Sequence, residues 1–290
     1  MARARLDPFM RDMTHPVRPT RLGATVILLV LIVLSLAALV PLYWMFATSL
    51  TPSAMTVKLP PELIPTEPTL DNYSTVLRQP NFGRWVFNSL VQAISVTAVT
   101  VATASMAGYA LAKLPFRGSR TLFWLFIMSM MLPFEAILVP LFLVVTRLGM
   151  VDTYLGLLLP LMVSPFSIFL MKQFIQTLPS ELLDAARVDG AGEARIFWEG
   201  VLPLVRPGLA FLGIITFVAQ WNAFVWPLVV TRSSSMRTLQ VGLVLIREQE
   251  PLFFGLHMAA AVLAAIPVIV IFFSFQRYFL RGVTVGALKG

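Results

Sequence analysis

The chain lacks cysteine altogether and carries little charge. Without cysteine it forms no disulfide, no thiolate zinc site and no cysteine nucleophile. Charged residues make up 12% of its 290 residues, about half the share in soluble domains, whereas hydrophobic residues make up 58% and the mean hydropathy is +0.82. This composition leaves too little polar surface for a soluble globule, so a soluble enzyme is excluded.

Two further absences narrow the function. The sequence contains no Gly-x-x-x-x-Gly-Lys-Ser/Thr motif, so we expect no P-loop and no ATP bound by this chain. Its two histidines, His15 and His257, are too isolated in the sequence to form a metal site, and no catalytic constellation stands out. We therefore predict a chain that is not an enzyme and binds neither a cofactor nor a metal.

Long stretches without charge indicate an all-α membrane protein. A spanning helix needs roughly 20 mostly apolar residues, because about 30 Å of hydrocarbon is crossed at 1.5 Å per residue. Six stretches fit, and a single acid, Glu135, interrupts the third. The sequence thus predicts a six-helix transmembrane domain over residues 22–280, with spans at about 22–48, 85–112, 121–146, 153–172, 207–231 and 257–277.

The distribution of basic residues predicts the orientation, because Lys and Arg are enriched in loops that stay in the cytoplasm. With six spans, 15 of the 22 basic residues fall on the side of the termini and 7 on the other. Both tails, residues 1–21 and 281–290, are therefore predicted to be cytoplasmic. The first apolar stretch exceeds the roughly 7–15 residues of a signal-peptide core, which favours a retained helix. The net charge of +8 then reflects topology, and we expect no nucleic-acid partner.

Two outer loops each have a structural and a functional interpretation. The first, residues 51–83, is rich in proline, which favours turns or extended chain, and it is either a spacer or a surface for an extracytoplasmic partner. The other, residues 233–256, carries Glu248 and Glu250 and is too polar to span. A partner contact there does not follow from composition.

The fourth loop, residues 177–207, has the pattern of a helix–turn–helix outside the membrane. Ser180 is a plausible N-cap of its first helix, and Gly190 stands where a residue in the left-handed conformation would end that helix. A second short helix is predicted to begin at Glu193. The segment either docks another surface or is an interfacial helix that connects two spans.

At this loop the sequence resembles the membrane subunit of binding-protein-dependent ABC importers. The signature of that family is Glu-Ala-Ala, a glycine four residues after the second alanine, and an apolar-Pro pair about a dozen residues on. Here it reads Asp184-Ala185-Ala186, then Gly190, then Leu202-Pro203. Aspartate in place of glutamate keeps the charge but shortens the side chain by one methylene group, and the small alanines permit close approach of another surface.

The resemblance extends over nearly the whole chain after its first twenty residues. Segments in the second and fifth spans resemble carbohydrate-type permeases, although Ala223 stands where that family often has Glu. The end of the chain resembles the maltose-type second permease. The matching segments are Asn88-Ser89-Leu90, Ala107-Gly108-Tyr109-Ala110-Leu111-Ala112, Trp221-Asn222-Ala223-Phe224-Val225-Trp226-Pro227-Leu228 and Gly286-Ala287-Leu288-Lys289-Gly290.

The resemblance implies an ATP-driven importer in a prokaryotic inner or plasma membrane. This chain and a second permease subunit would form a heterodimer, surrounded by lipid, with the translocation pathway between them. Two ATPase subunits, which hold ATP and Mg, would dock on a coupling helix in the 178–203 loop, and an extracytoplasmic binding protein would deliver a sugar or sugar-like solute. The coupling residues implied are Glu181, Asp184, Ala185, Ala186, Asp189, Gly190, Leu202 and Pro203.

Polar residues within the predicted spans are candidates for the translocation path, because such groups are costly in a membrane. Glu135 either lines a cavity and accepts from sugar hydroxyls or lies near a helix break at the outer surface. The amides and the indole either contact a sugar or join helices by hydrogen bonds. The candidates are Asn88, Gln92, Glu135, Gln220, Trp221 and Asn222.

An ion-gradient-driven secondary transporter is the alternative function. Such proteins tend to have internal repeats and several buried ionisable residues, whereas this sequence has one acid within a span and no convincing repeat. A purely structural membrane subunit would leave the fourth loop unexplained. The sequence does not identify the solute, since a disaccharide, an amino sugar and a glycerophosphodiester all fit. Either this chain or the partner permease holds the solute site.

Overall fold

The computed structural model describes residues 21–52 and 64–287. The predicted N-terminal tail up to residue 20, Pro60 and Pro61 of the proline-rich loop, and residues 288–290 lie outside the described residues. In chain order the described helices are α1 (Arg21–Ser49), α2 (Asp71–Leu77), α3 (Phe82–Lys113), α4 (Ser119–Ser129), α5 (Phe134–Arg147), α6 (Tyr154–Leu161), α7 (Pro165–Gln176), α8 (Ser180–Val188), α9 (Glu193–Leu204), α10 (Arg206–Trp221), α11 (Val225–Val230), α12 (Leu239–Gln249) and α13 (Phe254–Ala287).

Some of these helices are long and apolar enough to cross a membrane. Among the described residues, α1, α3 and the first part of α13 each meet this criterion alone. Three helix pairs meet it together but are bent, by 101° between α4 and α5, by 43° between α6 and α7, and by 77° between α9 and α10. The described chain therefore has three such spans, or up to six if each bent pair is one crossing.

Proline accounts for the breaks inside two predicted spans. Pro133 lies in extended conformation (φ −63°, ψ 141°) directly before α5, so the predicted third span of 121–146 is two helices rather than one. In the fourth, Pro165 begins α7, and Ser164 caps that helix by accepting from the Ser167 N–H at 3.3 Å. Proline lacks an N–H and disfavours helix in the residue before it, so a new helix starts there.

The long helix α3 is the centre of the bundle. At 1.5 Å per residue it is about 48 Å long, and it packs against α7 and α10 along its length. The crossing with α7 is close, because a Cβ at Gly108 would lie 2.9 Å from the Lys172 backbone nitrogen. Near this crossing the Thr100 hydroxyl donates to the Met162 carbonyl at 3.0 Å.

Two buried clusters lie towards opposite ends of α3. The cluster near its start contains Trp85 with Trp221 of α10 and Leu239 of α12. The cluster near its end contains Tyr109 together with Met171 of α7. Because the second cluster also includes side chains from α8 and α9, the 178–203 loop is packed onto the end of the bundle where α3 finishes.

Helix α1 lies on the outside of the described bundle. Its main neighbour is α13, and no residue of its most apolar 18-residue window is buried. A helix that is apolar on every side is suited to contact with lipid or with another membrane subunit.

Candidate functional site

The 178–203 loop folds as two helices joined by a tight turn. Gly190 has φ +82°, so it ends α8 in the left-handed conformation that the sequence predicts. Its N–H donates to the Arg187 carbonyl, and the Ala191 N–H donates to the Ala186 carbonyl, both at 3.0 Å. These bonds satisfy carbonyls that the helix end would otherwise leave unpaired.

The predicted capping role of Ser180 is wrong. Ser180 is the first residue of α8, the N-cap position is Pro179, and no side chain caps the helix there. The Ser180 hydroxyl instead lies 3.3 Å from the Lys113 ammonium nitrogen at the end of α3. A sequence motif for a cap could not show this, because the partner is 67 residues away.

One face of α8 is packed on the bundle and the other is exposed. Leu183 is buried in one cluster with Ile196 and Phe197 of α9. Leu202 and Pro203, in the last turn of α9, are partly buried. On the outer face Val188 is 87% exposed and Leu182 51% exposed, and Glu181, Asp184, Ala185 and Asp189 are also exposed. The loop thus presents a mixed apolar and acidic surface on a fixed base.

An open groove of about 410 Å³ runs between α8 and α9. Leu182, Ala186 and Asp189 line it from the first helix and the turn, and Arg195 and Glu199 line it from the second. The middle of α9, Ile196–Val201, is π-helical, a variation that recurs at functional sites. A larger side chain at Ala186 would fill part of this groove.

Arg187 joins the charges of the loop. Its Nη1 lies 2.6 Å from Asp184 Oδ1 and its Nε lies 2.7 Å from Glu193 Oε1. Asp184 is therefore paired within the loop, although 63% of its side chain is exposed. Exposed ion pairs contribute only about 0–1 kcal/mol each. The Arg187–Glu193 pair links α8 to α9, whereas the Asp184–Arg187 pair lies within α8.

The network lowers the pKa of Glu193, through hydrogen bonds from Arg187 first and Tyr109 second. A carboxylate with a depressed pKa in the folded state stabilises the fold above its unfolded pKa and loses that contribution as pH falls through the folded value. We expect the loop to be unaffected above about pH 5, where free glutamate is ionised, and to loosen in more acidic solution. In a carboxylate carbon NMR titration, Arg187→Met should raise the Glu193 midpoint, and an unchanged midpoint would contradict the network.

Sequence reasoning missed the contacts between this loop and α3. The Tyr109 hydroxyl donates to Glu193 Oε2 at 2.5 Å, and the Lys113 ammonium donates to the Leu178 carbonyl at 2.6 Å. Tyr109 and Lys113 are four residues apart and thus share one helix face. This spacing is visible in the sequence, but it does not identify the residues that this face of α3 contacts.

Asn88 is held in a second polar network at the start of α3. Its amide donates to the carbonyls of Ser235 at 2.8 Å and Arg237 at 2.9 Å, and it accepts from the Tyr154 hydroxyl at 2.6 Å. Trp85 donates to the Ser234 carbonyl at 2.8 Å in the same loop. Both amide protons of Asn88 are thus used within the chain, which is the helix-joining interpretation of this residue.

Asn88→Ala should therefore act on stability rather than on solute binding. It leaves two carbonyls without their donor, at about 1–3 kcal/mol for each buried group left unsatisfied. We expect a lower thermal unfolding midpoint in detergent and an unchanged KM for uptake. Asn222→Ala is the matched control for the unfolding midpoint alone, which it should leave unchanged because Asn222 is exposed. An altered KM at a normal midpoint for Asn88→Ala would contradict this assignment.

The other amide and indole candidates divide between buried and exposed positions. Gln92 is buried and donates to Gln220 Oε1 at 3.1 Å, while its own Oε1 has no partner among the described residues. Trp221 is buried and donates to the Ala264 carbonyl at 2.9 Å. Asn222 is exposed and donates to the Val218 carbonyl at 3.0 Å. The structure brings Gln92 and Gln220 together and leaves Asn222 facing outwards.

Glu135 lies at a helix break rather than in the middle of a helix. It is in the first turn of α5, directly after the bend at Pro133, and it is exposed. The helix break of the second interpretation is present, and the cavity-lining contact with a solute stays a prediction. An acid in the first turn also interacts favourably with the helix dipole.

Comparison with known proteins decides the family. Residues 100–285 match the family described as "Binding-protein-dependent transport system inner membrane component". The chain belongs to this family. The permease resemblance inferred from the signature is confirmed, and the matched range includes the whole helix–turn–helix of α8 and α9.

Several relatives align over most of this permease. It is 38% identical over 260 residues to the arabinooligosaccharides transport system permease protein AraQ of Bacillus subtilis (strain 168), covering 89% of this chain and 92% of that protein. It is 37% identical over 260 residues to the sn-glycerol-3-phosphate transport system permease protein UgpE of Yersinia enterocolitica, covering 87% and 92%.

A solved structure has a similar fold. With a TM-score of 0.80 and 26% identity, the permease matches a chain of a bacterial ABC transporter involved in the import of the acidic polysaccharide alginate. The match covers 91% of this chain and 99% of that chain. The Glu-Ala-Ala motif is typical of this family, and the Asp184-Ala185-Ala186 segment that resembles it lies on α8, with Asp184 and Ala185 exposed and Ala186 partly buried.

Proposed function

We propose that this chain is one of two permease subunits in an ATP-driven importer for a sugar or sugar-like solute. The observation that carries the proposal is the 178–203 loop: an exposed helix with the family's motif, fixed to the bundle on one face. ATPase subunits, with ATP and Mg bound to them, dock on the exposed face of this helix, and an extracytoplasmic binding protein delivers the solute. The chain itself carries out no hydrolysis.

The solute class follows from the relatives. Their names give arabinooligosaccharides, sn-glycerol-3-phosphate and, for the solved transporter, alginate. All of these carry two or more hydroxyl groups, and the exposed amide of Asn222 suits hydroxyl recognition. We infer a polyhydroxylated solute, with Asn222 and Glu135 as the candidate contacts whose side chains are exposed.

Six crossings with cytoplasmic termini are part of the same proposal. The three long spans and the bent pairs α4–α5 and α6–α7 supply five crossings, and α10, without the α9 part of its bent pair, supplies the sixth. Lys113 contacts Leu178, so the second and fourth loops lie at one end of the bundle, where the basic residues are concentrated. That end is the cytoplasmic one in this proposal.

Single-cysteine labelling tests the orientation, because the chain has no cysteine of its own. Ser180 and Ser234 are exposed at opposite ends of the bundle. We expect a membrane-impermeant maleimide to label Ser234→Cys in spheroplasts, and to label Ser180→Cys only after permeabilisation. The opposite pattern would reverse the orientation, and equal labelling would contradict the topology.

Affinity purification tests the assembly. The tagged permease, expressed with its second permease and ATPase from their native genes, should retain the ATPase in mild detergent. Ala186→Arg, which fills the groove between α8 and α9, should lose it, whereas Ala194→Arg on the exposed start of α9 should retain it. A permease that purifies without any ATPase, and imports solute alone on an ion gradient, would favour the secondary transporter instead.

A further inference from the structure

The end of α3 holds the 178–203 loop at two points. Lys113 donates to the Leu178 carbonyl at 2.6 Å and to the Ser180 hydroxyl at 3.3 Å, directly before α8 and at its first residue. One turn earlier on the same face, the Tyr109 hydroxyl donates to Glu193 Oε2 at 2.5 Å, beyond the end of α8. The two contacts therefore bracket the helix that carries the family motif.

These contacts continue to the exposed face of α8. Glu193 pairs with Arg187, and Arg187 pairs with Asp184, at 2.7 and 2.6 Å. Asp184 belongs to the motif, and 63% of its side chain is exposed. A continuous chain of charged and polar contacts thus runs from Tyr109 in the bundle to the surface of the loop.

Helix α3 is not joined to this loop by the backbone. The loop connects α7 to α10, and α3 packs against both of those helices. At its other end α3 binds a different loop, through Trp85 to the Ser234 carbonyl and Asn88 to the Ser235 carbonyl. One helix of about 48 Å thus contacts the connecting segments at both ends of the bundle.

We propose that Tyr109 and Lys113 are positioning residues that make α3 move with the 178–203 loop. The proposal rests on the function proposed above, in which ATPase closure displaces that loop. The displacement then reaches α3 directly, in addition to α7 and α10, and α3 carries it to the 231–238 loop at the opposite end. Without the contacts of Tyr109 and Lys113, the ATPase subunits still hydrolyse ATP, but the displacement of the 178–203 loop moves the spans less.

The test compares import with hydrolysis in proteoliposomes that contain the complete complex and its binding protein. Tyr109→Phe removes one hydroxyl, and Lys113→Met keeps the length of the stem but removes the donor. We expect both variants to assemble with the ATPase and to hydrolyse ATP. In the double variant the number of solute molecules imported per ATP should fall about fivefold or more.

Matched variants control for the loss of a hydroxyl or an ammonium elsewhere. Tyr73→Phe removes a hydroxyl that lies 2.6 Å from the Ser49 hydroxyl, near the other end of the bundle. Lys172→Met removes an ammonium that lies 4.1 Å from the centre of the Phe123 ring and donates to Gln176 Oε1 at 3.2 Å, both of them on helices other than α8. Both controls should import the same number of solute molecules per ATP as the wild type.

A covalent link tests whether the contact itself matters. In the otherwise cysteine-free chain, Lys113→Cys with Ser180→Cys should lower import per ATP, and a short bismaleimide that joins them should restore it. A normal ratio in the Tyr109→Phe, Lys113→Met double variant, or import that stops on cross-linking, would overturn the proposal. Failure of the proposed function would give a different result, because the wild-type complex itself would then show no ATP-dependent import.

Discussion

Gly190→Pro is expected to abolish uptake while the protein still reaches the membrane. Gly190 has φ +82°, and proline holds φ near −65°, so the turn after α8 cannot form. The substitution also removes the N–H that donates to the Arg187 carbonyl at 3.0 Å. A cost of about 3 kcal/mol or more corresponds to a change of about a hundredfold in the population of the native loop.

The measurement is uptake of labelled solute, alongside the amount of permease in the membrane and of ATPase that purifies with it. Gly192→Pro is the matched control, because Gly192 has φ −70°, which proline adopts readily, and a new Cβ there meets no atom within 4 Å. It should retain most of the uptake. If Gly190→Pro retained both uptake and ATPase binding, the coupling role of the loop would be wrong.

Gly108→Leu is expected to prevent the bundle from forming. A Cβ at Gly108 would lie 2.9 Å from the Lys172 nitrogen and 3.0 Å from the Met171 carbonyl carbon, both backbone atoms. Small residues at helix crossings allow this close approach in membranes. Because the backbone cannot move aside as a side chain does, α3 and α7 must separate, at a cost of about 1–3 kcal/mol or more.

Yield and monodispersity in detergent, with the thermal unfolding midpoint, measure this effect. Gly83→Leu is the control in the same helix, because a Cβ there meets no atom within 4 Å. We expect Gly83→Leu to behave as the wild type and Gly108→Leu to give little monodisperse protein. Equal thermal unfolding midpoints for the two variants would mean that α3 and α7 pack less closely at Gly108 than the structure shows.

Local chemistry made the 178–203 loop predictable from sequence. Gly190 and the two short helices depend on residues close together in the chain, and α8 and the left-handed turn occur where predicted. The bends between helices were harder to predict, because hydropathy depends on the composition of a segment and not on the direction of its helix axis. The stretch 121–146 has a single charged residue, Glu135, yet the chain bends by 101° at Pro133.

Contacts between distant residues were beyond sequence reasoning. The Asn88 amide binds carbonyls of the 231–238 loop, 147 and 149 residues away, and Tyr109 binds Glu193, 84 residues away. Spacing identified the face of α3 but not its partners. Asp184 is different, because its partner Arg187 lies only three residues along the same helix, at a spacing that is visible in the sequence.

The most direct test of the account is solute uptake by proteoliposomes that contain this chain, the second permease and the ATPase subunits. We predict uptake that requires both ATP inside and the loaded binding protein outside, and that persists when ion gradients are collapsed. Uptake by this chain alone, driven by an ion gradient and indifferent to ATP, would contradict the account.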